Sequence, residues 1–469
     1  MKRRTALSDM NDSPTQPLPP VSILGLGLPG EPGAREATPP PGVEDLLREA
    51  DVIIGGKALL AALPKLKAEK IPVGADTNAL YQGIAAARAE GKRQVVLCSG
   101  DPLYFGLGAR LSSALGPEAL RIVPGLSTVQ CAAALLGFPW EQAGSVSLHG
   151  RLSMLPLAHA LIRGGPVFIL TDALRPYPAI AAWMLDRGCA GYVIHVLVDL
   201  YRKDTGEIAA GEHRRYPVEE AARHRTPEAW GTRAVLFLEP SGPEPSRLFG
   251  LPDQDIERAR NIVTKAPVRA ASLAALGIEP FHTVWDLGAG SGAVSIEAAR
   301  LAWRGQVFAV ERKADRAAII RANRQTFAAP NLEIVEGDMP GCLPGGGAGG
   351  DALPRPDRIF VGGGLSGSCA AAAQIINRAW DALKPGGRLV ADCVLLSSLE
   401  GARAALMALD AGVSVSCLHA SASAPLANDL RLEALNPVFM VLGEKRLEGR
   451  ANKDKDAQAP ATGEAKENA

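Results

Sequence analysis

Short apolar runs recur along the chain, and Ala/Leu-rich stretches with helical spacing separate them. In the first half the runs stand at 21–25, 51–55, 94–98 and 121–123, with helix expected over stretches such as 78–88. A second set follows at 167–171, 192–198 and 234–238. From 239 to 255, prolines, glycines and serines interrupt all periodicity, which marks a seam. Beyond it, runs at 283–287, 306–310, 332–335, 358–361, 387–392, 413–418 and 437–442 predict a set of strands separated mostly by helices. The expected fold is α/β throughout: two small α/β lobes with a cleft between them, then a doubly wound, Rossmann-like sheet of seven strands. The expected divisions are a polar tail over 1–20, a two-lobed domain over 21–240, a linker over 241–255, a second domain over 256–447 and a solvated tail over 448–469. The glycine-rich stretch 342–356 is expected to be a flexible insertion.

Composition narrows the function. At 469 residues the chain exceeds one ordinary core. Fifty basic and fifty acidic side chains cancel, which argues against a dominant grip on nucleic acid. Seven scattered cysteines, none spaced Cys-x-x-Cys, point to reduced core residues and to neither a disulfide framework nor a metal site. The first twenty residues hold no apolar anchor or signal segment, so a soluble, cytoplasmic protein without membrane contact is expected.

The sharpest motif is Asp286-Leu-Gly-Ala-Gly-Ser-Gly292, a glycine-rich turn between a strand and a helix. Such a turn lets the backbone approach a nucleotide just ahead of a helix N-terminus, and Gly288, Gly290 and Gly292 are the residues that permit it. Glu311 closes the next strand, where an acceptor can bind ribose hydroxyls, and Asp338 follows the third, within reach of an adenine amino group. An acid at the first glycine position and a second acid after the third strand resemble the S-adenosylmethionine-dependent methyltransferases of the Rossmann-like class.

Gly25-Leu-Gly27-Leu-Pro-Gly30 imitates a dinucleotide fingerprint, but the prolines beyond it prevent a helix from starting there. Ser99-Gly-Asp-Pro-Leu-Tyr-Phe-Gly106, Val123-Pro-Gly-Leu-Ser-Thr128 and Ser147-Leu-His-Gly-Arg151 each adjoin an apolar strand, which gathers their polar groups at one sheet edge. With Gly55-Gly-Lys57 they resemble the tetrapyrrole methylase family, and within it the branch acting at carbon 5 of a precorrin. Pro124-Gly125 stands where that branch often has Pro-Ala-Pro. The resemblance implies a two-lobed fold enclosing S-adenosylmethionine, with Gly25, Gly27, Gly100, Asp101, Pro102, Ser127 and Thr128 at the cofactor and His149 and Arg151 at the substrate.

Val263-Thr-Lys265 with Arg269, Gly362–Gly364, Lys384-Pro-Gly-Gly-Arg388 and Asn436-Pro-Val438 extend a second resemblance, to the decarboxylating precorrin-6B methyltransferases that act at carbon 15. It implies Thr264 and Gly362 at the cofactor and Lys265 and Gly363 at the substrate. Both families in this order are similar to the fused enzymes of cobalamin biosynthesis. That similarity implies methylation of precorrin-6B at carbons 5 and 15 and loss of carbon dioxide from the ring C acetate, giving precorrin-8X. The implied partner is a small tetrapyrrole, and a homo-oligomer is expected. Its many carboxylates call for cations: Arg151 and Lys265 are favoured, while Arg269 and Arg431 are expected to be ordinary surface charge. Three other readings stand beside this one: an RNA methyltransferase, a single-site enzyme with a non-catalytic N-terminal assembly domain, and an NAD-dependent oxidoreductase resting on the glycine runs alone.

Overall fold

The computed structural model describes residues 18–26, 43–74, 77–198, 200, 212–226, 234–242, 249–259, 263–344, 353–365, 368–409 and 411–447. The expected tails, Gly27 with the proline-rich stretch after it, and the core of the expected 342–356 insertion lie outside the described residues.

The first sheet is parallel and holds β1 (Val21–Leu26), β2 (Val52–Gly55), β3 (Glu69–Pro72), β4 (Gln94–Ser99) and β5 (Leu120–Val123), in the order β3-β2-β4-β1-β5. Every residue of β1 is buried. Alternate side chains serve two cores, Leu24 and Leu26 with Ile53, Val95 and Leu97 on one face, Val21 and Ile23 with Ile54 and Val96 on the other. A strand buried on both faces needs an unbroken apolar run, which is why β1, β2 and β4 were legible.

The second sheet is mixed: β6 (Gly144–Ser147), β7 (Val167–Leu170), β8 (Tyr192–Val198), β9 (Glu212–Pro217) and β10 (Ala234–Pro240), in the order β6-β7-β10-β8-β9. The helix Thr128–Leu136, which leaves the first sheet after β5, packs Val129, Cys131, Ala132 and Ala133 against Phe168, Leu197, Val235 and Phe237 of the second. One helix thus ties the lobes together.

The third sheet contains β11 (Thr283–Leu287), β12 (Gln306–Glu311), β13 (Leu332–Glu336), β14 (Arg358–Val361), β15 (Arg388–Cys393), β16 (Gly412–Leu418) and, after the exposed hairpin of β17 (Ser421–Leu426) and β18 (Asp429–Ala434), β19 (Val438–Glu444). Its order, β13-β12-β11-β14-β15-β19-β16, is parallel except for β19, which runs antiparallel between β15 and β16. The order reverses between β11 and β14, so loops at the carboxyl ends of those strands border a crevice. Among the described residues no helix is long and apolar enough to cross a membrane. All seven cysteines are unpaired, and Cys98, Cys131, Cys189 and Cys393 are buried.

The second lobe docks on the third sheet. Arg324 Nη2 lies 2.8 Å from Asp186 Oδ2, Arg187 Nη2 donates to both oxygens of Glu333 at 2.9 and 3.2 Å, and Gln325 Nε2 donates to the Leu185 carbonyl. His159 Nε2 meets the Gly305 carbonyl at 3.0 Å. Gly188 is obligatory at this contact, since a Cβ there would sit 1.7 Å from the Gln325 carbonyl oxygen.

Arg269 was expected to be surface charge, and the structure corrects this. It is fully buried, its Nε donating to Glu297 Oε1 at 2.8 Å and its Nη1 to Asp253 Oδ1 at 3.0 Å and to the Thr264 carbonyl at 2.7 Å, while Nη2 reaches the Leu251 carbonyl. Its five-donor fork welds the segment before the helix Ala266–Leu276 to the helix Ala293–Leu301. Arg431, exposed on β18 and paired with Glu433, does behave as surface charge. Arg269→Ala strands the Glu297 carboxylate in the interior and should cost about 3–5 kcal/mol. Chemical denaturation should show a lower midpoint for the C-terminal unfolding step.

Candidate functional site

Alternation along β11 sends Trp285 and Leu287 into one apolar core, which obliges Asp286 to face the other side. Asp286 has no solvent exposure. The Ser295 hydroxyl donates to its Oδ2, and its Oδ1 has no partner. Burial pushes the carboxyl up from 3.8 to about 7, against the Ser295 hydrogen bonds, with the nearby Glu311 and Asp392 charges adding to the rise.

The glycine turn is closed by contact. Gly288 has φ +75°, and a Cβ there would lie 2.8 Å from Gly363, so the two backbones touch where the strand order reverses. Gly292, N-cap of the following helix, packs on Ile320, whereas nothing lies within 4 Å of the space beside Gly290. The Gly290 N–H donates to Glu311 Oε2 at 3.0 Å, and Lys313 N–H donates to Oε1 at 3.0 Å. Glu311 is buried and thereby ties the turn to the end of β12. Asp338 is exposed, 3.8 Å from Arg312 Nη1. Gly362 N–H bonds the Leu287 carbonyl at 3.0 Å. Thr264 and Lys265 lead into the helix Ala266–Leu276, and Lys265, half-buried, is its N-cap.

This donor set fits S-adenosylmethionine. An unpartnered buried carboxylate oxygen suits a cationic amino acid end, open space beside Gly290 admits a ligand, and Glu311 at the end of the adjoining strand offers acceptors to hydroxyls.

In the first half three strand ends converge. A Cβ on Gly25 would lie 2.4 Å from Gly125 N and 2.5 Å from the Gly100 carbonyl oxygen, and one on Gly125 would lie 2.6 Å from the Gly25 carbonyl oxygen. Gly125 therefore has no substitute in this chain, a physical reason for its departure from Pro-Ala-Pro. Asp101 Oδ1 accepts the Leu103 N–H at 2.8 Å, and Pro102 is buried beneath Gly106 and Gly108. Ser127 and Gln130 form a reciprocal cap on the helix that Thr128 begins. His149 lies mostly exposed, its Nδ1 3.7 Å from Asp172 Oδ2, and Asp172 also accepts the Gly150 N–H at 2.6 Å. Arg151 lines an open groove of about 530 Å³ with Leu152, Ser153, Leu155, Pro156 and His159.

Comparison with known proteins finds two families in sequence. Residues 32–198 match the tetrapyrrole (corrin/porphyrin) methylases, and 258–443 match the precorrin methyltransferase domain. Over 388 residues, 82% of this chain and 87% of the relative, the chain is 31% identical to the precorrin-6Y C(5,15)-methyltransferase [decarboxylating] of Sinorhizobium sp. The chain belongs to that family. Single-function relatives match its parts: the cobalt-precorrin-7 C(5)-methyltransferase of Salmonella typhimurium is 36% identical over 168 residues, 36% of this chain and 79% of the relative. The probable cobalt-precorrin-6B C(15)-methyltransferase (decarboxylating) of Saccharolobus solfataricus is 28% identical over 200 residues, 42% of this chain and 96% of the relative.

Within this C(5,15)-methyltransferase, the structure adds two carboxyl groups that motif spacing did not single out. Asp172 follows β7 beside His149, and Asp392 lies near the end of β15, its Oδ2 accepting the Ser272 hydroxyl at 2.7 Å. Each follows or ends an apolar strand, the same signal that pointed to Glu311, but neither has a glycine run beside it.

The state of Asp286 is measurable without substrate. Its folded value lies above its unfolded one, so the folded protein keeps a proton that the unfolded chain releases, and stability falls as pH rises between about 4 and about 7. Asp286→Asn should remove its share of that slope, leaving the share of Asp392 that ends near 6, and should make the ligand-free protein more stable at pH 8, by roughly 1.4 kcal/mol for each tenfold by which burial weakens the acid. Denaturant melts across that window, wild type against variant, check both.

Proposed function

We propose that the chain methylates precorrin-6B at carbon 15 with loss of carbon dioxide in its second half, then methylates the product at carbon 5 in its first, yielding precorrin-8X. The observation that carries this reading is the fused order of the two families along one chain. The sequence of steps follows from the relatives' substrates: the relative of the second half acts on a cobalt-precorrin-6B, that of the first on a cobalt-precorrin-7.

When bound, S-adenosylmethionine supplies an electrophilic sulfonium methyl group. The reduced macrocycle offers an electron-rich enamine carbon, so each site has chiefly to align two partners and exclude water. In the second half Asp286 receives the cationic end of the donor, and Glu311 the ribose hydroxyls, with Asp338 towards the base. Gly362 and Gly363, packed against Phe360 and Gly288, form the floor on which the macrocycle would lie, and Lys265 meets an acetate or propionate carboxylate. In the first half the junction of Gly25, Gly100 and Gly125 presents backbone to the donor, while Arg151 and His149, the latter beside Asp172, face the substrate.

Incubating the purified protein with precorrin-6B and S-adenosylmethionine should give a product two methyl groups heavier and one carbon dioxide lighter by mass spectrometry. Calorimetry should count two equivalents of S-adenosylhomocysteine per chain. Glu311→Ala should weaken the second-half equivalent roughly tenfold to a hundredfold, the loss of hydrogen bonds to a charged group, and Asp286→Ala should abolish carbon 15 methylation. Both variants should still methylate supplied precorrin-7 at carbon 5. Unchanged carbon 15 chemistry in Asp286→Ala would refute the site.

A further inference from the structure

Decarboxylation needs a proton, and the second half holds a side chain suited to give one. Asp392 lies on β15 on the same sheet face as Asp286: Asp286 is in register with Phe360 on β14, Phe360 with Val390 on β15, and Asp392 is the next residue on that face. It therefore lies at the carboxyl edge of the sheet, level with Gly362 and one strand beyond the contact between Gly288 and Gly363. Asp392 is partly exposed, yet its Oδ1 is buried and has no partner, while Oδ2 is held by Ser272 at 2.7 Å. Ser272 Oγ also lies 3.0 Å from the Val268 carbonyl, and its single hydrogen serves one of the two acceptors at a time. Lys265, Val268 and Ser272 share one face of the helix Ala266–Leu276, so the lysine chosen for the substrate stands above the carboxyl on the same wall.

The surroundings favour the protonated form. Burial lifts the Asp392 carboxyl from 3.8 to about 6, opposed by the Ser272 hydrogen bond. Asp286, on the same sheet face, interacts with it as a like charge, and Arg269, on the helix that carries Ser272, is committed to Glu297 and Asp253. Met440, its partner on β19, and Gly362 bring no charge.

Resting on the function proposed above, we propose that Asp392, aimed by Ser272, is the acid that protonates the decarboxylated side chain of the macrocycle. The bond between the acetate methylene and its carboxylate breaks, carbon dioxide leaves, and the electron pair passes into the conjugated ring. The Asp392 O–H bond then breaks as its proton forms the new C–H bond of the methyl group, and water restores the proton to the carboxylate.

Asp392→Asn keeps the shape and the acceptor for Ser272 but removes the acid. Carbon dioxide release from precorrin-6B should fall about a hundredfold or more, while supplied precorrin-7 is still methylated at carbon 5. The wild-type rate of carbon dioxide release should decline as pH rises through about 6. That limb should be missing from Asp392→Asn, and in Ser272→Ala it should move to higher pH, because the lost hydrogen bond had favoured the charged carboxylate. Infrared titration gives a readout without turnover: the part of the protonated-carboxyl band that titrates near 6 in the wild type should be missing from Asp392→Asn, leaving the part from Asp286, which titrates near 7. Release of carbon dioxide by Asp392→Asn within threefold of wild type, or an unmoved limb in Ser272→Ala, would overturn the assignment. A wild type that releases none would instead sink the proposed function itself.

Discussion

A carboxyl group held away from water governs the second half of this enzyme. Asp286 cannot change faces, because a one-residue shift of β11 would move Trp285 and Leu287 out of the core they fill and into the other core across the sheet. Nor is it satisfied where it is: Ser295 serves one oxygen and nothing serves the other, an arrangement that costs about 1–3 kcal/mol for a buried acceptor. A cationic ligand with N–H donors removes both penalties together, by supplying a charge and a hydrogen bond. On the proposed reading, ligand binding and loss of the Asp286 proton would be one coupled event.

The rest of the fold keeps that group at the edge of the third sheet opposite to the one the second lobe meets. The second lobe touches the third sheet through Leu185–Gly188, before β8, and through Gly305, Arg324 and Glu333, all at the amino edge of β12 and β13. The glycine-lined turns stand at the carboxyl edges. The seam is a set of ion pairs and hydrogen bonds with one glycine contact, and His159, which meets the Gly305 carbonyl across it, also lines the groove that holds Arg151. Fusion fixes the stoichiometry of the two catalysts and their relative orientation, and leaves each cleft open to solvent for a bulky, many-charged substrate.

Much of this was legible beforehand because parallel strands buried on both faces must be continuously apolar, and all seven strands foreseen after the seam form the third sheet. The strands that escaped notice have reasons to be quiet. Glu69–Pro72 and Glu212–Pro217 are charged edge strands ending in proline, Gly144–Ser147 is small and polar, and the hairpin of β17 and β18 is exposed almost throughout. Arg269 was misjudged for a different reason. A single arginine beside a motif carries no sign of burial, and only the convergence of Asp253, Thr264 and Glu297 from three separate segments makes it internal. Asp392 was hidden likewise, since its meaning depends on Ser272, 120 positions away in sequence.

The third sheet also divides labour across its switch point. On one side, β11 and β12 carry Asp286 and Glu311, and Glu311 accepts two backbone N–H groups that fix its oxygens as acceptors next to the turn. On the other, β14 and β15 lead to Gly362, Gly363 and Asp392: the space a side chain would fill beside Gly362 is taken by Phe360 and that beside Gly363 by Gly288, and Asp392 has one hydroxyl donor and one unpartnered oxygen. Gly288 against Gly363 is the boundary, close enough that a single methyl group would force the strands apart. Carboxyl groups of the same intrinsic acidity take different tasks because burial and hydrogen-bond partners differ on the two sides.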